Sequence, residues 1–197
     1  MPEEDDVAPR RLDDEKIEAI LAACPDEHRL TVELALATGL RWSELMRLTW
    51  SQVVWSPKPK LLVEGTKGRR KAHKRRIVPL DPEITMKLQE ARTRATSLMV
   101  IENQPWNSWV IRRSIKAKTG IAFRFHDLRH TFAARYIEDR GSLAMLQEIL
   151  GHSSLKMVMR YAKPTENAVQ EDADRVFLSR VCSKTCSKSG EAFGPQP

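Results

Sequence analysis

The chain has 197 residues, 41% of them hydrophobic, a formal net charge of +7 and a pI near 9.5. That length suits one domain with tails, and the apolar fraction supports a packed core and excludes wholesale disorder. The basic balance favours a polyanionic partner, either nucleic acid or an acidic membrane surface. No run of about 18 apolar residues exists, so no segment is expected to span a bilayer. The acidic start, Met1 to Asp6, lacks the order of a signal peptide, and the expected location is the cytoplasm.

In chain order, residues 1–11 read as a linker or N-terminal arm, acidic and then basic, without periodicity. Ile17, Ile20, Leu21 and Cys24 recur at helical spacing from about Leu12, and Pro25 ends that run. A second helix is predicted from Asp26 to Ala37 with Leu30, Leu34 and Ala37 on one stripe, closed at Gly39. A third opens around Arg41 and carries Trp42, Leu45 and Leu48. The period then changes. Gln52–Trp55, Lys60–Glu64 and Arg76–Leu80 are β-prone and predict three short antiparallel strands. Asp81-Pro82 is an N-cap followed by proline at the first helical position, and Ile84, Leu88, Ala91 and Ala95 continue that helix. Further helices are predicted over 106–118, 126–139, 143–150 and 154–161, punctuated by Gly120, Gly141 and Gly151. Another is predicted over 166–179, followed by a disordered tail from 181 to 197. The fold class is mainly α with a small antiparallel β-sheet.

The cysteines carry no chemistry in this reading. Cys24 sits among apolar residues as a small buried hydrophobe, and Cys182 and Cys186 lie in the polar tail without a histidine nearby. No zinc site is expected there.

Four separated segments place unusual polar residues beside helix breaks. Arg41 falls at a helix start after Thr38-Gly39. The turn from Gly65 to Arg76 holds Lys67, Arg69, Arg70, Lys71, Lys74, Arg75 and Arg76. Charges packed that densely repel one another unless an anion arrives, so the turn reads either as a solvated hairpin tip or as a loop tracking DNA phosphates. His126 and Arg129 stand three residues apart on one helix face, and His152 precedes Tyr161 by nine. Any one of these alone is best explained as a surface or packing residue.

Together they suit transesterification at a phosphodiester. Tyrosine, with a free pKa of about 10, needs cations and a proton acceptor to act as a nucleophile. Arginine forks match two non-bridging phosphate oxygens, a lysine protonates the departing oxygen, and a histidine shuttles the tyrosine proton. No carboxylate cluster points to a two-metal site, so the expected chemistry is metal-free.

These segments resemble the boxes of the tyrosine recombinase family, the phage integrases and their relatives. Thr38-Gly39-Leu40-Arg41-Trp42-Ser43-Glu44-Leu45 carries the first arginine, Gly65-Thr66-Lys67-Gly68 the hairpin lysine, and His126-Asp127-Leu128-Arg129-His130-Thr131-Phe132 the histidine–arginine pair. Leu150-Gly151-His152 and Tyr161 complete the set. The resemblance spans about residues 12–180, which would be the catalytic domain. It implies the tyrosine recombinase catalytic fold, with Arg41, Lys67, His126, Arg129, His152 and Tyr161 catalytic. It further implies a 3′-phosphotyrosyl intermediate on double-stranded DNA, with no ATP or other cofactor. Family members carry a core-binding domain ahead of the catalytic one, and only about eleven residues precede the pattern here. The expectation is a mainly monomeric chain that forms a homotetramer on DNA once that domain is present. Two other readings stay open: type IB topoisomerase-like strand relaxation, and a catalytically silent DNA-binding module.

Overall fold

A computed structural model of the chain describes residues 10–64, 75–102 and 108–161. The helices begin where the sequence supplies an acceptor for their free N–H groups. Asp13 caps α1 (Asp14–Ala23) by accepting from the Lys16 amide at 2.9 Å. Cys24 is extended, the conformation a residue before proline prefers, and Pro25 precedes α2 (Asp26–Thr38). Gly39 closes α2 in the left-handed region, with φ at 63°. A side chain there would also collide with its neighbours, since an added Cβ would lie 2.6 Å from Phe132 and 2.9 Å from Leu150.

The third helix is shorter than its pattern suggests. α3 covers only Trp42–Leu45, although Leu45 and Leu48 are both buried as expected. After it the backbone pairs with a distant segment. The amide of Val100 donates to the Leu48 carbonyl at 2.8 Å, and that of Trp50 to the Leu98 carbonyl at 3.0 Å. Trp50–Gln52 then forms a 3₁₀ turn, so the first predicted strand shrinks to β1 (Val53–Val54).

β2 (Lys60–Glu64) and β3 (Arg75–Pro79) complete an antiparallel sheet in the order β1-β2-β3. Leu61 pairs with Val78 and Val63 with Arg76. Strand alternation puts Leu61, Val63, Arg76 and Val78 on the covered face and leaves Arg75 and Ile77 outside. Asp81 caps α4 (Pro82–Arg94) through the Ile84 amide at 2.8 Å, with proline at the start.

α5 (Ser108–Thr119) packs on α1 through Ile111 and Ile115 and ends at Gly120. α6 (Phe125–Glu138) packs on α2, its first turn closed by Asp127, whose carboxylate accepts the Arg124 amide at 2.8 Å. α7 (Leu143–Leu150) lies against β3, and α8 (Lys156–Met159) follows it. One hydrophobic core joins α1–α6 and the sheet. A smaller cluster of Ala133, Leu146, Leu150 and Val158 holds α6, α7 and α8 together, with Tyr161 against it.

Cys24 is buried and free, and burial pushes its thiol pKa up to about 11, as suits a packing residue. The predicted helix over 166–179, the tail from 181, Cys182 and Cys186 lie outside the described residues, as do residues 1–9 of the arm. Among the described residues no helix is long and apolar enough to cross a membrane.

Candidate active site

The ends of α2, α6 and α7 meet at Arg129. This guanidinium is 2% exposed, donating from one nitrogen to the Gly39 carbonyl and from another to the Leu150 carbonyl, each at 2.7 Å. The second nitrogen also lies 3.0 Å from Nε2 of His152. Burial, and then the charge of Arg41, pushes the Arg129 pKa down to about 9, so the group keeps its charge at neutral pH. No carboxylate forms an ion pair with it among the described residues. A buried cation held by two carbonyls and an imidazole nitrogen, with no counter-charge paired to it among the described residues, is a strong attractor for an anion.

Arg41 is the residue before α3. Its guanidinium donates to Glu44 at 3.0 Å, its backbone amide to the other oxygen of that carboxylate at 2.8 Å, and 27% of its side chain stays open. Glu44 is buried, and it also receives two nitrogens of Arg76, at 2.9 and 2.8 Å. Burial works to raise the Glu44 pKa, but the bonds and charges of Arg76 and Arg41 outweigh it and hold the carboxyl below its ordinary value. The third Arg76 nitrogen donates to the Ile149 carbonyl at 2.7 Å, tying β3 to the end of α7. Gly151, left-handed at φ 66°, lies beside this bridge, where an added Cβ would stand 3.1 Å from the Arg76 side chain.

Three histidines, His126, His130 and His152, are held below their ordinary pKa. Burial, then Arg129 and Arg41, pushes His152 down to about 4. Because Arg129 can only donate, Nε2 of His152 accepts and its proton sits on Nδ1, which is buried without a polar partner among the described residues. His126, on the first turn of α6, is lowered by desolvation and by the same two arginines. Tyr161 completes the group. Burial raises its pKa, while Arg129 and Arg160 pull the other way. Its hydroxyl lies 2.5 Å from Nδ1 of His130.

Five of the six expected catalytic residues, Arg41, His126, Arg129, His152 and Tyr161, therefore converge from distant parts of the chain. Lys67 lies outside the described residues, as do Arg69, Arg70, Lys71 and Lys74 of the same turn. Arg75 is exposed and pairs with Glu64. Arg76 is a correction. Its side chain is 5% exposed and committed to Glu44 and Ile149, so it is an interior tie and does not track DNA from the surface. Its in-step spacing with Val78 and Leu80 carried that signal in the sequence. Two further residues of the site, Glu44 and His130, sit inside the recognised boxes at three from Arg41 and four from His126. Those spacings place each beside its partner. Among the described residues no group of three or more His, Cys, Asp or Glu side chains is arranged to hold a metal ion.

The profile of the phage integrase family matches residues 10–168, which includes every one of these positions. The chain belongs to the phage integrase family. The integrase of Haemophilus phage HP1 is 37% identical over 147 residues, covering 73% of this chain and 40% of that protein. The integrase of Escherichia phage 186 is 35% identical over 162 residues, covering 80% and 43%. Tyrosine recombinase XerA of Pyrococcus furiosus is 29% identical over 184 residues, covering 86% and 63%. This phage integrase family chain thus spans between two fifths and two thirds of the length of these relatives. The fold agrees: the solved catalytic domain of bacteriophage HP1 integrase superposes with a TM-score of 0.65 at 30% identity, covering 83% of this chain and 93% of that one. XerH recombinase bound to its difH substrate shares the fold at a TM-score of 0.65 and 21% identity.

Proposed function

We propose that this chain is the catalytic part of a site-specific DNA recombinase, cutting and rejoining double-stranded DNA through Tyr161. The observation that carries this reading is Arg129, a buried cation without a carboxylate partner among the described residues, with Arg41, His126 and His152 around it and a tyrosine alongside.

A scissile phosphate placed against Arg129 and Arg41 has its two non-bridging oxygens matched by guanidinium forks, and their charge offsets the growing negative charge of a five-coordinate phosphorus. His126 and His152, as neutral imidazoles, flank it without adding repulsion to the cations already present. The Tyr161 oxygen attacks phosphorus, its proton passes to a histidine, and the bond to the 5′ oxygen breaks. Lys67 gives that oxygen a proton, leaving a 3′-phosphotyrosyl link and a free 5′ hydroxyl. A 5′ hydroxyl from a partner strand reverses the step. Phosphoester bonds are exchanged one for one, so the reaction needs no ATP.

Arg69, Arg70, Lys71, Lys74 and Arg75 are assigned to the DNA backbone beside the cut, with residues 12–180 as the catalytic unit. The proposed state is a cytoplasmic monomer that assembles into a homotetramer on DNA when a core-binding domain is present. The support for DNA as partner is the basic balance, the anion-seeking site and the solved complexes of XerH with difH DNA. The test is covalent trapping on nicked suicide DNA. The wild-type chain should give a protein–DNA adduct mapping to Tyr161, and Tyr161→Phe should give none while keeping its affinity. An adduct formed by the Phe variant removes Tyr161 from the mechanism.

A further inference from the structure

Among the described residues the Tyr161 hydroxyl has one polar partner, and it is not the box histidine that leads α6. Nδ1 of His130 lies 2.5 Å from it, in a half-buried contact between α6 and the residue after α8. His126 is one helical turn away on the same face and meets the His130 ring edge-on, with centroids 4.5 Å apart. Among the described residues the phenol's hydrogen bond is to His130 and not to His126. The Tyr161 ring rests on the small cluster of α6, α7 and α8, so the hydroxyl is held toward His130 by packing as well as by the bond.

We propose that His130 is a further catalytic residue, the group that accepts the Tyr161 proton during strand cleavage. This inference rests on the recombinase reading and names which histidine performs the proton step. The bond Oη–H breaks as Oη–P forms, the proton moves to Nδ1 of His130 and makes an imidazolium, and the P–O5′ electron pair leaves with the proton from Lys67. Religation runs the same transfers backward.

The surroundings fit a delayed acceptor. His130 faces His126, Asp127, Arg129 and Arg160, and burial together with the neighbouring ring pushes its pKa down to about 4. Tyr161 is shifted the opposite way by burial. In the free protein the proton therefore stays on oxygen and the imidazole only holds it in place. Once Oη bonds phosphorus it loses its basicity, and the phosphate charge beside Arg129 and Arg41 makes an imidazolium tolerable. Transfer is tied to bond formation, and no free phenolate waits in the resting site.

The test uses the full chain and a nicked suicide duplex, comparing the wild type with His130→Ala, His130→Asn and His126→Ala. Asparagine places an acceptor oxygen near the Nδ1 position, so it can hold the phenol but cannot take its proton. The expected result is adduct formation slowed by about 10²-fold or more in both His130 variants, at unchanged DNA affinity and thermal midpoint. Added imidazole should restore much of the rate in His130→Ala. Near-wild-type cleavage by His130→Asn would reduce the residue to a tether, and faster cleavage by His130→Ala would make the contact a resting lock. Either overturns the proposal, as does a full loss confined to His126→Ala. The wild type and Tyr161→Phe run alongside. An adduct present in the first and absent from the second confines any failure to His130, whereas no adduct from the wild type defeats the recombinase reading and this one together.

Discussion

Replacing Glu44 with glutamine removes one charge, with little change of volume, from the point where three parts of the fold are tied. The carboxylate is 1% exposed, and it receives two Arg76 nitrogens, one Arg41 nitrogen and the Arg41 amide. Arg76 is 5% exposed, so after the change its guanidinium stays in the interior without a counter-charge. Removing one partner of a buried pair costs about 3–5 kcal/mol. For a chain of this size that lowers the thermal midpoint by about 6–20 °C. Thermal and urea unfolding of Glu44→Gln, Arg76→Met and the double variant measure it. Replacing both members by uncharged groups is often nearly neutral, so the double variant should recover much of the loss. The pH dependence carries the same signature. The folded pKa of Glu44 is depressed, so its contribution is present above the ordinary value of 4.5 and is lost as pH falls through the folded value. Glu44→Gln should lack that acid-limb component. A cost below about 1 kcal/mol, or strict additivity in the double variant, refutes the reasoning.

Three other outcomes are expected. Arg129→Lys should lose about 10²–10³ in cleavage rate, because an ammonium lacks the planar fork that reaches Gly39 and Leu150 from separate nitrogens and can still face a phosphate; an adduct formed at the wild-type rate contradicts this. Neutralising Arg69, Arg70 or Arg75 should weaken binding to all sequences and flatten the salt dependence of affinity, by a slope of about one for each DNA phosphate left without its cation. Arg76→Met should lower stability without such a change of slope, and an equal slope change there would return it to the DNA surface. Lys67→Ala should cleave slowly on ordinary DNA and recover on a 5′-thiol leaving group, which needs no proton; recovery at Lys71→Ala or Lys74→Ala in its place moves the general acid along the loop.

What the sequence made legible follows the range of the forces involved. α7 and β2 have the predicted bounds, and Asp81 caps α4 as read, because caps, glycine stops and alternation act within a few residues. α3 is shorter than its apolar spacing implies, since Leu48 leaves the helix to pair with Val100. No local pattern encodes a partner fifty residues away. The site divides in the same manner. Arg41, His126, Arg129, His152 and Tyr161 were visible through their boxes, while the jobs of Glu44, Arg76 and His130 appear only once α6, α7 and β3 are packed. Arg76 shows the cost of reading composition before period: it belongs to the basic run by charge and to the core by alternation.

Arg129 takes its two carbonyl partners from Gly39, ninety positions earlier, and Leu150, twenty-one later, and Tyr161 comes after both. During synthesis, Gly39, Arg129 and Leu150 are therefore all made before Tyr161. On the recombinase reading, a chain interrupted short of Tyr161 would lack the group that breaks the DNA strand. Stalled or prematurely ended products would then be unable to nick DNA, whatever else of the fold they had formed.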